Sequence, residues 1–253
     1  MVSLNEVAAG LPPTSRTYLI DSYLKSLETR LLRFVPETKK AGYFVAADTP
    51  MHPKGGAQPS DTGRIEGDGF RARIRKVLEH SSVIIHYGEI VEGSVNEGGQ
   101  VRIDLDWEPR YLVMRLHTAG HIIDYAVYQL INRELLSSRA HHGPPESYLE
   151  YVGDPGELDE SSIESLANKT AKSPKRVYAV SVPRGELQNV IRGAPNILRL
   201  PDLDTYRVVV IDGVNAIPCG GTHVSVTSEV GEIRVERLER SEKGFKVVYS
   251  VVD

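Results

Sequence analysis

The sequence predicts an α+β protein: a small N-terminal β-barrel, residues 1–107, followed by a domain of antiparallel sheet and helices, residues 108–253. Before Trp107 the chain consists of short, partly alternating apolar segments separated by Gly, Pro and Asn turns, a pattern typical of an all-β barrel. After Trp107 a long pattern of helical period begins, and strand-like segments with helical segments between them follow it.

In the first domain, four segments alternate well enough to be predicted as strands: Tyr43–Ala47, Phe70–Leu78, Val83–Tyr87 and Gln100–Leu105. The stretch from Tyr23 to Phe34 is ambiguous. Its apolar residues recur at helical spacing and indicate an amphipathic helix by period alone, whereas Thr29, Arg30 and Phe34 are compatible with a strand.

The second domain opens with a predicted helix over about Glu108–Leu136. Further helices are predicted over Asp159–Ala171 and Arg184–Arg192. The strands predicted around them are Ser147–Val152, Arg176–Val182, Tyr206–Ile211, Gly231–Glu236 and Phe245–Val251. Strands interspersed with helices in this way favour a mainly antiparallel sheet that is covered on one side.

Composition excludes several classes of protein. The 253 residues suffice for a core without disulfides, and a single cysteine cannot form an internal one, so we expect a reducing, cytoplasmic location. No apolar run is long enough to cross a membrane, and residues 1–13 do not resemble a signal sequence. The net charge of −4 is not typical of a dedicated nucleic-acid-binding protein.

Two local basic clusters are nevertheless candidates for phosphate contacts. The first cluster comprises Arg71, Arg73, Arg75 and Lys76. The second cluster comprises Lys169, Lys172, Lys175 and Arg176. Either cluster can contact nucleic-acid phosphates or can form an ordinary solvated face, and the sequence leaves both alternatives open.

Four potential metal ligands stand in two short motifs far apart in the chain. His117 and His121 are four residues apart in the predicted helix and therefore project from one face of it. Cys219 and His223 flank a Gly-Gly-Thr turn that lets both side chains point inward. Imidazole and thiolate are the ligands that zinc prefers, so the sequence predicts one bound zinc ion per chain.

The same helical stripe continues past His121 to Asp124 and Tyr128. Asp124 is a candidate for orienting a ligating imidazole by accepting a hydrogen bond from its other ring nitrogen, and the alternative is a solvated acid. Thr118 stands where a His-Glu-x-x-His metalloprotease carries its general base, so a protease of that class is disfavoured.

His117-Thr-Ala-Gly-His121 followed by Cys219-Gly-Gly-Thr-His-Val resembles the paired signature of the editing domain of alanyl-tRNA synthetases. The segment from Asp48 to Gly63, with Gly-Gly-Ala-Gln at its centre, looks like the glycine-rich motif that precedes those signatures. In length the chain is similar to the free-standing editing proteins called AlaX, of the medium-length type. The resemblance covers roughly residues 15–250.

The resemblance implies a function and a set of site residues. Residues 23–34 would form a barrel strand, and the loop Gly55, Gly56 and Ala57 would face the substrate, with Ala57 replacing the usual glycine. Gln58 and Thr49 would lie near the bound amino acid. The implied activity is zinc-dependent deacylation of mischarged tRNA(Ala), chiefly with serine and secondarily with glycine. The tRNA acceptor end is thus the expected partner.

Two other functions stay open at this point. The related editing domain of threonyl-tRNA synthetases also pairs a His-x-x-x-His with a Cys-x-x-x-His motif. Alternatively, a structural zinc could stabilise a non-enzymatic RNA-binding or protein-interaction module. The sequence does not distinguish a monomer from a homodimer.

Overall fold

A computed structural model of the protein describes residues 2–133, 135–197 and 200–253. The chain divides into two compact units. The first comprises Met1–Gly55 and Pro59–Tyr111, and the second comprises Gly56–Gln58 and Leu112–Asp253. The tip of the glycine-rich loop therefore folds with the second unit, although the segments on both sides of it belong to the first.

The first unit is built on a closed six-stranded barrel with the strand order β2-β3-β7-β6-β5-β8. Its helix and strands are α1 (Leu4–Ala8), β1 (Ser15–Arg16), β2 (Ser26–Pro36), β3 (Ala41–Ala46), β4 (Asp48–Thr49), β5 (Gly63–Gly67), β6 (Phe70–His80), β7 (Val83–Gly93) and β8 (Gln100–Leu105). All barrel pairs are antiparallel, while β1 and β4 form a short parallel pair beside the barrel.

Alternating side chains fill the barrel. In β6, Phe70, Ala72 and Ile74 are buried while the arginines between them are exposed, as the period of two in a strand requires. The same inward set includes Leu31 and Phe44 from the neighbouring strands. Strand β3 is buried at all of its positions because α1 covers part of the outer surface.

A buried ion pair anchors the chain on both sides of the glycine-rich loop within the first unit. Arg110 donates to both carboxylate oxygens of Asp61 and, through Nη2, to the carbonyl oxygen of Pro50 at 2.8 Å. Asp61 also accepts a hydrogen bond from the backbone N–H of His52. Each charge therefore has an ionic partner and further hydrogen-bond partners, as a buried ion pair needs.

The second unit contains a long helix and two antiparallel sheets. Its elements are the main part of α2 (Trp107–Ile131), β9 (Leu136–His141), β10 (Ser147–Val152), α3 (Glu160–Lys172), β11 (Val177–Pro183), α4 (Leu187–Val190), β12 (Thr205–Ile211), β13 (Asn215–Pro218), β14 (Glu232–Ser241) and β15 (Gly244–Val252). One sheet has the order β14-β15-β10-β9, and the other has the order β11-β12-β13. The α+β class with an N-terminal barrel is thus confirmed.

Helix α3 covers the edge of the larger sheet through polar side chains. Glu160, Glu164 and Asn168, four residues apart and so on one helix face, accept hydrogen bonds from backbone N–H groups of β14. Asn168 also donates to the carbonyl oxygen of Ile233. These contacts occupy groups that an open edge strand would offer to another chain.

The structure decides the one ambiguous stretch and changes the extent of two predicted helices. Residues 26–36 form strand β2, so the helical period of this stretch was misleading and the resemblance was right. Helix α2 ends at Ile131 rather than near Leu136, because Asn132 adopts a left-handed conformation with φ of 53° that stops an α-helix. Leu136 instead begins β9.

The predicted helix over Arg184–Arg192 was wrong in extent. The structure has a short 3-10 turn at Arg184–Glu186 followed by the single helical turn α4. Gly193 has a φ of 58°, a conformation that favours glycine and does not continue a helix. In the part of the chain that the structure describes, no helix is long and apolar enough to span a bilayer.

Candidate metal centre

Four side chains in the second unit converge on one point. His117 and His121 come from α2, and Cys219 and His223 come from the loop that follows β13. One ligand atom from each of the four lies within 4.8 Å of the others. The Cys219 Sγ atom lies 3.3 Å from Nε2 of His117 and 3.3 Å from Nε2 of His223. This cluster could hold a metal ion.

The Gln58 carboxamide orients His117. Its Oε1 atom lies 2.9 Å from the backbone N–H of Thr222 and 3.0 Å from Nδ1 of His117. An amide oxygen only accepts, so Nδ1 of His117 carries the proton and its Nε2 lone pair faces Cys219. The Gln58 Nε2 donates to the Thr222 hydroxyl at 3.0 Å. Gln58 is 1% exposed, and it links α2 to the cysteine loop.

Thr118 orients His223 in the same way. Its hydroxyl donates to the carbonyl oxygen of Met114 at 2.9 Å and lies 3.2 Å from Nδ1 of His223. Because the hydroxyl has one proton, its oxygen accepts from Nδ1 of His223, which leaves the His223 Nε2 lone pair for Cys219. The backbone N–H of Val224 donates to the same oxygen. Both histidine tautomers are therefore set by groups anchored to the main chain.

The shape of the cysteine loop depends on Gly221 and Arg207. A Cβ atom on Gly221 would lie 2.2 Å from Cε1 of His117, so only glycine lets the loop approach this ring. The Arg207 guanidinium donates to the carbonyl oxygens of Cys219 and Gly221 at 2.9 and 3.0 Å. The loop is thus also held by a strand of the smaller sheet, β12.

Burial governs the protonation of the ligands without a metal. Desolvation raises the pKa of the Cys219 thiol, against the opposing effects of the Gly221 N–H and the Arg207 charge. Desolvation, helped by Arg207, lowers the pKa of His121 to about 4. His121 is therefore neutral at pH 7, which is the form in which imidazole binds a metal.

A fourth histidine contacts the cluster. The ring of His142 stacks on that of His117 with centroids 4.2 Å apart and an angle of 18° between the planes. The Tyr249 hydroxyl lies 2.6 Å from Nδ1 of His142 and donates to the carbonyl oxygen of Leu116. A Cβ atom on Gly120 would lie 2.6 Å from His142, so this glycine makes room for the stack.

The other predicted site residues of the second unit have different surroundings. Asp124 is buried and accepts a hydrogen bond from the Tyr151 hydroxyl at 2.6 Å. Ala57 has a φ of 68°, the left-handed conformation that glycine adopts without strain. Its carbonyl oxygen accepts from the backbone N–H of His142, which ties the Gly55–Gly56–Ala57 loop to the segment beside the cluster.

Thr49 belongs to the first unit and is fully buried there. The carbonyl oxygen of Phe44 lies 3.2 Å from Nδ1 of His86, so this nitrogen carries the His86 proton. The Thr49 hydroxyl therefore donates to Nε2 of His86 at 2.8 Å, and it accepts from the backbone N–H of Met51. Contact between Thr49 and an amino acid stays a prediction.

The two basic clusters differ in their partners. In the first, Arg71, Arg73 and Arg75 form ion pairs with Glu92, Asp106 and Glu89, which indicates a solvated face. The second cluster, Lys169, Lys172, Lys175 and Arg176, forms no ion pair within the described residues. Its Arg176 guanidinium lies 5.3 Å from the centroid of the Tyr178 ring. Phosphate contact stays a prediction for this second cluster.

Comparison with known proteins agrees with the motifs. Residues 29–109 match the family of class II (A) tRNA synthetases, and residues 206–249 match the threonyl and alanyl tRNA synthetase second additional domain. The chain is 30% identical over 251 residues to an alanine–tRNA ligase of Pyrobaculum neutrophilum and 28% identical over 248 residues to one of Saccharolobus islandicus. The chain is thus similar in sequence to part of alanine–tRNA ligases, and both matched families consist of tRNA synthetase domains.

The relationship covers almost all of this chain but a small part of its relatives. The matches include 93% of this chain in the Pyrobaculum comparison and 94% in the Saccharolobus comparison. In both, the chain spans about a quarter, 26%, of the curated relative. The activities of those longer ligases are therefore assigned to this chain only as a proposal.

Sequence reasoning missed several residues around the cluster. Thr118 was noted only for not being glutamate, although a hydroxyl next to a predicted ligand in a helix was a usable signal. His142 stands in a His-His pair at the end of β9, in a chain with 8 histidines, which also hinted at a role. Arg207 had no local signal, since its contact with the cysteine loop depends on the pairing of β12 with β13.

Proposed function

We propose that the protein hydrolyses the ester bond of mischarged tRNA(Ala) at a zinc site formed by His117, His121, Cys219 and His223. Ser-tRNA(Ala) would be the chief substrate and Gly-tRNA(Ala) a secondary one. The observation that carries the proposal is the convergence of these four ligands in a chain related to alanine–tRNA ligases along nearly its whole length. The proposed partner is the tRNA acceptor end, and the proposed location is the cytoplasm.

The residues fit a zinc ion in chemistry and in scale. Tetrahedral zinc with a bond of about 2.3 Å to sulfur and about 2.05 Å to nitrogen separates these two atoms by about 3.6 Å. The sulfur of Cys219 lies 3.3 Å from the Nε2 atoms of His117 and His223, within a few tenths of an ångström of that value. Thiolate sulfur and neutral imidazole nitrogen are also the ligand types that zinc prefers.

Zinc, when bound, polarises an ester carbonyl or lowers the pKa of a bound water toward about 7. The protein contributes orientation. Gln58 and Thr118 hold the proton of each partner imidazole on Nδ1, so that both Nε2 lone pairs face the metal position. Loss of either group would leave all four ligand side chains in the protein, but one imidazole ring would no longer be held in its orientation.

The substrate preference follows from a limit on hydrophobic pockets. A site that activates alanine cannot exclude the smaller glycine or strongly reject serine, which adds a hydroxyl. A second site that hydrogen-bonds the serine hydroxyl can reject alanine by up to about 10⁴-fold, since alanine would leave the polar groups unpaired. Thr49 and Gln58 are the groups proposed for this contact. The carboxamide of Gln58 already bonds His117 and Thr222, which supports a role in positioning for it as well.

The experiment is a comparison of hydrolysis rates for tRNA charged with Ser, Gly, Ala and Thr by the purified protein. We expect Ser-tRNA(Ala) to be deacylated fastest and Ala-tRNA(Ala) to be spared. Preference for mischarged tRNA(Thr) would favour the threonyl alternative, which the second matched family also includes. Absence of hydrolysis in a zinc-loaded protein that still binds tRNA would favour a structural zinc in an RNA-binding module.

A further inference from the structure

A cavity of about 290 Å³ lies in the second unit beyond the metal ligands. One wall is the stripe of α2 that carries Asp124 and Tyr128. A second wall is the segment from Gln188 to Pro195, which includes Ile191 and Arg192. The volume of the cavity is near the lower end of the range for pockets that bind small molecules.

Both walls are connected to the metal cluster through the elements that carry them. On α2, Asp124 is one turn after His121, and Tyr128 is about 10 Å further along the axis than His121 at 1.5 Å per residue. On the other side, Arg192 and Ala216 exchange two backbone hydrogen bonds of 3.0 Å, which joins this wall to the strand that ends at Pro218, next to Cys219. The Asn215 side chain of that strand donates to the carbonyl oxygen of His121 at 2.7 Å.

The lining combines an aromatic ring, aliphatic side chains and a cation. The Tyr128 side chain is 37% exposed and makes no hydrogen bond within the described residues. Leu136 and Ile191 supply apolar contact area. Arg192 is exposed and forms no ion pair in the part of the chain that the structure describes. A ring for stacking and a cation that line one cavity suit a nucleobase and its phosphate.

We propose that this cavity binds the terminal nucleoside of the tRNA acceptor strand, with Tyr128 stacked against the base and Arg192 on the adjoining phosphate. This inference rests on the proposed function, because it assigns the nucleoside part of the same substrate. A base beside Tyr128, about two helical turns from His121, leaves the ribose and its ester toward the metal ligands. The separation matches the length of one nucleoside, and Asp124 would lie between base and ester.

The first test measures binding of adenosine 5′-monophosphate to the zinc-loaded full chain by calorimetry. Stacking of a base on an aromatic side chain contributes enough that its removal weakens binding about 5- to 150-fold. We expect that loss in Tyr128→Ala, while Tyr128→Phe keeps the ring and most of the affinity. Leu130→Ala, at an exposed position of the same helix outside this cavity, is the matched control and should bind as the wild type does.

The second test compares KM and kcat for Ser-tRNA(Ala) in the same variants and in Arg192→Ala. A rise in KM of at least about fivefold with kcat within twofold, in Tyr128→Ala and Arg192→Ala, supports the inference. Unchanged nucleotide affinity and KM in both variants would overturn it, while an active wild type would leave the proposed function standing. A wild type that binds the nucleotide through Tyr128 yet hydrolyses no aminoacyl-tRNA would refute the proposed function alone.

Discussion

Replacing Gln58 by alanine should weaken zinc binding without removing a ligand. The Gln58 Oε1 atom is the acceptor for Nδ1 of His117 at 3.0 Å, and the carboxamide makes two more hydrogen bonds to Thr222. Loss of such an outer partner of a metal ligand typically lowers metal affinity 10- to 100-fold, which corresponds to about 1.4–2.7 kcal/mol. Each buried group left unpaired should also cost the metal-free fold about 1–3 kcal/mol.

The assay is zinc competition against a chelator of known affinity, with the folded state checked by circular dichroism. Gln129→Ala, exposed on α2, is the control and should keep wild-type zinc affinity. Gln58→Glu should retain most of the affinity, because a carboxylate oxygen can still accept from His117. Zinc affinity within twofold of wild type in folded Gln58→Ala would refute the positioning role and leave Gln58 as a substrate contact alone.

Three further predictions concern other parts of the chain. Ala57→Gly should raise the free energy of unfolding by up to about 1 kcal/mol, because glycine adopts the positive φ of this position without strain; urea denaturation that shows a loss instead would contradict it. Burial lowers the pKa of His86 to about 4, so as the pH falls from about 6.5 the unfolded chain binds the proton first. The contribution of neutral His86 to the free energy of unfolding should therefore be complete above about pH 6.5 and fall by roughly 3 kcal/mol toward pH 4. His86→Gln should flatten this pH dependence in urea titrations. Reversing the charges of Lys169 and Lys172 should reduce the salt dependence of tRNA binding by about two phosphate contacts, and an unchanged log-log slope would assign these lysines to a solvated face.

The sequence predicted which four side chains would cluster, because the signal of each pair is local. Three residues separate His117 from His121, and a glycine turn joins Cys219 to His223, so each pair could be recognised within a few residues. The orienting contact of Gln58 was not recognisable, since Gln58 and His117 are 59 residues apart and meet only in the folded chain. Gln58 was singled out, but for contact with substrate rather than for orienting a ligand.

Strands were likewise predicted well where the signal is local and poorly where it depends on distant parts of the chain. Ser147–Val152 and Gln100–Leu105 have the predicted bounds, because one face of each strand is buried and the alternation is visible in the sequence. Strand β2 was ambiguous because several of its side chains are partly buried on both faces and its pairing with β3 is interrupted between Leu31 and Arg33. Whether this stretch forms a strand depends on its pairing with β8 when the barrel closes, and the local spacing of apolar residues does not reveal that pairing.

The most direct test of the account is single-turnover deacylation of Ser-tRNA(Ala) by the same preparation with zinc, after chelation, and after zinc is restored. The account predicts about one zinc per chain, loss of most of the rate on chelation, recovery on restoring zinc, and neither zinc nor activity in Cys219→Ala. Wild-type rates in a folded protein from which zinc has been removed would contradict it, because the four ligands would then not form the reactive site.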